Sequence, residues 1–148
     1  MRAVVQRVGS AKVEVDGVVT GEIERGLLVY LGIGKNDGEA ERAYVLSKVV
    51  GLRIFEDADG KMNESVVDVG GALLIVSQFT LYGDVSRGRR PSFESAMPPA
   101  EAEQAYQDFI ESAREHLRVE TGRFRAHMLV SSVNVGPVTI WIDSAKSG

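Results

Sequence analysis

The apolar residues of this chain fall mostly in short runs closed by glycine or another turn-forming residue, and only two stretches carry helical spacing. Short runs of that kind suit strands, and a regular helix needs a longer periodic stretch. Residues 3–8 and 12–15 predict strands. Asp16-Gly17 predicts a tight hairpin turn, and residues 18–23 the returning strand. Residues 27–33 predict a buried strand, so that the first third looks like a β-meander, and residues 72–79 predict the most strongly apolar strand of the chain. Residues 52–55 predict a further strand and 56–60 a polar turn. Helical spacing appears at Ala43, Leu46, Val49 and Val50 within 39–50, where acidic residues come early and Lys48 late, as the helix dipole favours. It returns at Ala102, Ala105, Tyr106, Phe109, Ala113 and Leu117. Pro98-Pro99 opens that second helix, because proline is tolerated in a first turn, and Arg118 closes it. Residues 128–133 and 138–142 predict two last strands around a turn at 134–137. Strands with two helices that do not strictly alternate imply the α+β class and not a doubly wound parallel sheet. No repeat or linker divides the chain, so residues 1–148 read as one domain.

Composition narrows the chemistry. The 148 residues contain no cysteine. That removes a disulfide framework, a thiolate metal site and a cysteine nucleophile, and it fits a reducing cytosol. Gln6, Arg7 and Lys12 interrupt the N-terminal apolar residues, so no secretory leader is expected. The uncharged apolar-rich stretch 69–83 is too short and too polar to span a bilayer, and nothing requires a membrane. The net charge of −4 argues mildly against bulk nucleic-acid binding, which usually rests on a basic field. An RNA partner would need a local basic patch.

Only two histidines are present, His116 and His127. The first falls near a predicted helix end, the second at a strand entrance, and neither has metal-ligand spacing. There is no nucleophile elbow, P-loop or dinucleotide fingerprint. No metal or cofactor is expected. Three positive signals remain. Ser77-Gln78-Phe79-Thr80 puts polar groups at the end of the strongest apolar strand. They either satisfy a turn or aim backbone N–H groups and the Thr80 hydroxyl at a carbonyl oxygen. Asn134-Val135-Gly136-Pro137-Val138-Thr139 is either turn chemistry or, with a cis Gly136–Pro137 bond, a rigid pair of carbonyls suited to an ammonium group. Arg87, Arg89 and Arg90 lie in the irregular stretch 82–99. They form either a solvated loop or a phosphate clamp.

Together these segments resemble the D-aminoacyl-tRNA deacylase family over nearly the whole chain. The blocks are Met1 through Val8, Gly51-Leu52-Arg53-Ile54-Phe55-Glu56-Asp57, Gly60-Lys61-Met62-Asn63, Ser77 through Asp84, Gly88 through Phe93, Thr121-Gly122-Arg123-Phe124 and Asn134 through Thr139. The specificity lies in their order and spacing. The resemblance implies a cytoplasmic homodimer with a β-barrel-like core of mainly antiparallel strands and two main helices outside. It implies an editing hydrolase that frees D-amino acids from tRNA. Ser77, Gln78, Phe79 and Thr80 would line the pocket for the 3′ acceptor end, and N–H groups around Phe79 would stabilise an oxyanion. The resemblance gives Thr80 carbonyl binding in place of nucleophilic attack. A cis Gly136-Pro137 would reach into the partner's pocket, hold the substrate ammonium and reject L-substrates by backbone clash, leaving achiral glycyl-tRNA open to hydrolysis. Arg7 would support that loop. Phe124 and Met128 line the pocket or pack the core. One departure stands out: Val135 occupies a position where the family often has Asp.

Overall fold

The computed structural model describes residues 1–146. Its elements are β1 (Arg2–Val15), β2 (Val18–Ile23), β3 (Gly26–Gly32), α1 (Glu39–Gly51), β4 (Phe55–Glu56), β5 (Met62–Glu64), β6 (Ala72–Ser77), α2 (Pro99–Arg114), β7 (Val119–Thr121) and β8 (Leu129–Asp143), with a 3₁₀ turn at Phe79–Tyr82.

β1 organises the sheet. Asp16 and Gly17 take positive φ values of 50° and 78°, as a type I′ turn requires, and fold β2 back onto the second half of β1. The chain then continues along the same edge, so β3 pairs antiparallel with the first half of β1. This differs from the expected meander, in which β3 would pair with β2. β8 pairs antiparallel along the other edge of β1. β3 continues the sheet through parallel pairs to β6 and then β7. β7 returns towards β2, where a Cβ on Gly21 would lie 2.3 Å from the Thr121 carbonyl oxygen. Only glycine permits that approach. The result is a nearly closed, barrel-like sheet with two helices outside.

The two apolar runs are continuous because both faces of β3 and β6 are covered. Leu27, Val29, Leu31, Leu73 and Ile75 face the helices, whereas Leu28, Leu74 and Val76 face the barrel interior. α1 buries Val45, Leu46 and Val49; Ala43, expected on that face, is exposed. α2 buries Ala102, Tyr106, Phe109, Ile110 and Ala113. Burial of the Phe109 side chain, 0% exposed, contributes about 2–3 kcal/mol. The Tyr106 hydroxyl, equally enclosed, donates to the Ile75 carbonyl at 2.8 Å, which offsets its desolvation.

Several boundaries differ from expectation for identifiable reasons. β1 is one strand and not two, since β8 pairs with it along most of its length. α2 stops at Arg114 and not Arg118: its last turn tightens through Glu115 and His116 N–H bonds to the Ser112 and Ala113 carbonyls. Val119 is then free to enter β7, which local spacing did not reveal. The expected strand 52–55 shrinks to Phe55–Glu56, paired with β5. β6 ends at Ser77, and Phe79 belongs to the 3₁₀ turn. The segment around Gly136-Pro137 does not reverse the chain. Both flanks belong to β8, and residues 135–138 bulge out opposite Arg7 alone.

Candidate active site

β6 and β3 bury their apolar faces until the sheet ends, and the first polar side chains then appear at one rim. Ser77 and Gln78 are half-buried there, and the Gln78 N–H still donates to the Leu31 carbonyl at 2.8 Å. The chain next winds into the 3₁₀ turn. Leu81 N–H donates to Gln78 O at 3.2 Å and Gly83 N–H to Thr80 O at 2.9 Å. The N–H groups of Phe79 and Thr80 open the turn, so they have no partner within it. The Gln78 side-chain amide donates to the Thr80 hydroxyl.

This rim borders a cleft of about 600 Å³, within the usual range for a small-molecule site. Ser77, Gln78, Phe79, Phe124 and Met128 line it, and Thr80 sits exposed beside it. The structure therefore brings these expected residues together. Phe79 packs edge-on against Phe93, with ring centres 4.9 Å apart. Met97, Pro98 and Ala102 close the apolar side from the entrance to α2. None of these four was singled out from the sequence as a site residue, although the Pro-Pro helix start marked the region. Arg125 and His127 also line the cleft and are exposed; no spacing signal pointed to either.

Arg2 anchors the turn from outside. Its Nη1 donates to the Leu81 carbonyl at 2.9 Å, its Nε to Asp143 Oδ2 at 3.2 Å, and its guanidinium lies 4.4 Å from the Tyr82 ring centre. Burial pushes the Tyr82 hydroxyl pKa well up; the Asp37 carboxylate adds to this and Arg2 opposes it. Tyr82 is thus a neutral packing group beneath the turn.

Gly136 and Pro137 lie apart from their own chain's cleft and are exposed. The bond between them is cis, as the resemblance implies. Arg7, buried at 8% exposure, donates from Nε to the Val135 carbonyl at 2.9 Å and from Nη1 to the Ile54 carbonyl at 2.8 Å. The Asn134 side chain staples the bulge across its base, accepting from Val138 N–H at 2.8 Å and donating to Val138 O at 3.3 Å. The Val135 side chain takes no part in these bonds.

Arg87, Arg89 and Arg90 are exposed at the tip of a tied loop. Asp84 and Ser92 exchange backbone hydrogen bonds at 2.8 and 2.9 Å across its base, so this stretch is more ordered than its composition suggested.

The sequence matches the family described as D-Tyr-tRNA(Tyr) deacylase over residues 4–143. The chain belongs to that family. Membership makes it a deacylase, an enzyme of the hydrolase class. It is similar to a D-aminoacyl-tRNA deacylase of Thermotoga petrophila, 59% identical over 147 residues and 99% of both chains. One from Koribacter versatilis is 58% identical over the same length and shares. Among solved structures, one described as the c-Myc DNA unwinding element binding protein is 43% identical, with a TM-score of 0.92 over 97% of this chain and 98% of that one. No helix among the described residues is long and apolar enough to cross a membrane.

Proposed function

We propose that this chain edits tRNA in the cytoplasm, hydrolysing the ester between a D-amino acid and the 3′-terminal adenosine and releasing the amino acid and tRNA. The observation that carries this reading is the junction of an apolar cleft with the open start of the Phe79–Tyr82 turn. The cleft suits an adenine ring and an ester. The turn offers two N–H donors and the Thr80 hydroxyl at one point of its rim.

Water attacks the ester carbonyl, assisted by the tRNA's own 2′-hydroxyl. The N–H groups at Phe79 and Thr80 stabilise the oxyanion. The bond from the carbonyl carbon to the 3′-oxygen then breaks, and the water's proton passes through the 2′-hydroxyl to that oxygen. Thr80 binds the carbonyl and forms no covalent intermediate.

Handedness comes from a second copy of the chain. β8 exposes Leu129, Val133, Val135 and Trp141 at 45–59% of their surface, an apolar face suited to a partner. In a homodimer joined over this face, the Gly136 and Pro137 carbonyls of one protomer reach the cleft of the other and hold the substrate ammonium. With ammonium and ester both fixed, a D side chain points outward and an L side chain meets backbone. Glycine, having no side chain, is not rejected. Arg87, Arg89 and Arg90 hold RNA phosphates.

The test is incubation with D-Tyr-tRNA and L-Tyr-tRNA. Selective release of D-tyrosine is expected. Binding of both without release would identify an RNA-binding module instead and overturn the reading.

A further inference from the structure

Among the described residues, only Asp16 and Arg125 combine a side chain with positive φ. Asp16 is explained by its hairpin. Arg125, at 63°, is not. It occupies the third position of a turn closed by Ala126 N–H donating to the Arg123 carbonyl at 3.2 Å. Positive φ at that position is the type II arrangement, which favours glycine or asparagine. An arginine there works against its own backbone preference. Nothing in the fold offsets this: the side chain is exposed, and no carboxylate pairs with it among the described residues. What the position does provide is a place on the cleft, beside Phe124 and His127.

We propose that Arg125 is a phosphate-binding residue at the cleft mouth, taking the phosphodiester immediately 5′ of the terminal adenosine. This rests on the reading of the cleft as the site for an aminoacylated RNA end. A nucleotide whose base and ester fill an apolar cleft leaves its 5′ phosphate outside, at the mouth. On a chain of net charge −4, that phosphate needs a local cation. Guanidinium suits it because its planar fork matches two phosphate oxygens. The left-handed backbone sets where the fork stands relative to Phe124. The arginines at 87, 89 and 90 lie on a different loop and serve RNA further from the ester.

The experiment compares two substrates, D-Tyr-tRNA and 3′-O-D-tyrosyl-adenosine, which lacks the phosphate. For Arg125→Gly, the ratio of kcat/KM on the tRNA ester to that on the nucleoside ester falls about tenfold at low salt, chiefly through KM. The dependence of log kcat/KM on log salt becomes shallower by about 0.7, one single-strand phosphate contact. The melting temperature stays level or rises, because glycine is at ease at this φ. Arg125→Asn, also tolerant of that backbone, repeats the loss, and Arg125→Lys recovers part of it. An unchanged ratio and salt slope in both charge-removing variants would overturn the proposal and leave the deacylase reading intact. If the unaltered protein hydrolyses neither ester, both fall together.

Discussion

A methyl group on Gly136 would sit 2.8 Å from Val138 Cγ2 and 2.9 Å from Arg7 Nη2, at a φ of +133° that L side chains rarely adopt. Gly136→Ala should therefore destabilise the fold by about 1–3 kcal/mol in urea unfolding and all but abolish D-Tyr-tRNA hydrolysis. Arg7 is the neighbour that fixes this bulge. Removing it strands two carbonyls that it now serves, Val135 and Ile54. Arg7→Ala should cost about 2–4 kcal/mol, and Arg7→Lys should restore little, because one ammonium cannot match the fork. At the other end of the site, two substitutions of Phe79 separate the role of its N–H from that of its ring. Phe79 is the first residue of its turn, where proline fits, and Gln78 before it has φ −142° and ψ 80°, outside the helical region that proline disfavours in its predecessor. Phe79→Pro should lower kcat about 100-fold or more, the usual loss of one oxyanion donor. Phe79→Ala, which keeps the N–H, should lose far less. Equal losses would assign the role to the ring.

The 3₁₀ turn and the loop after it are held from outside their own sequence. Arg2 reaches the Leu81 carbonyl across 79 positions of chain. Arg2→Met keeps the stem and loses the donor; kcat should fall about tenfold with KM little changed, as expected for a misplaced turn and not for lost binding. The loop at 84–92 depends on Asp84. The Ser86 hydroxyl and N–H hold its carboxyl below the usual carboxylate range. A folded value below the unfolded one means that the stabilisation is present above the ordinary carboxylate pKa and is lost as pH falls through the folded value. Protection of the Ser86 and Gly88 amides, taken relative to the intrinsic exchange rate at each pH, should therefore fall on acidification below about pH 4, and Asp84→Asn should remove that pH response. These elements also show what the sequence could reveal. The apolar runs of β3 and β6, the Asp16-Gly17 turn and the polar group at Ser77–Thr80 were legible because local pattern governs them. β7, the early end of α2 and the unbroken course of β8 were not. The two strands are set by partners distant in sequence, and propensity yields to pairing there; the helix end is set by the tightened bonds of its last turn. Arg125 was invisible for a similar reason: its meaning lies in a backbone angle.

At the scale of the whole molecule, the two halves of the proposed site face apart within one chain. The cleft lies at the rim of β6, whereas Gly136-Pro137 rises from β8 beside Arg7, away from the cleft lining. The family pattern made both halves readable from sequence, but no single-chain geometry joins them. On the proposed reading a second protomer completes the site, and the exposed apolar residues of β8 offer a face for it. The direct measurement is complementation. Phe79→Pro and Gly136→Ala chains, each inactive or nearly so alone, are coexpressed and assayed on D-Tyr-tRNA with L-Tyr-tRNA as control. Random pairing makes half the dimers mixed, and each mixed dimer holds one intact cleft facing one intact loop. The account predicts recovery of about a quarter of unaltered D-specific activity. No recovery, from mixed dimers shown to have formed, would contradict it.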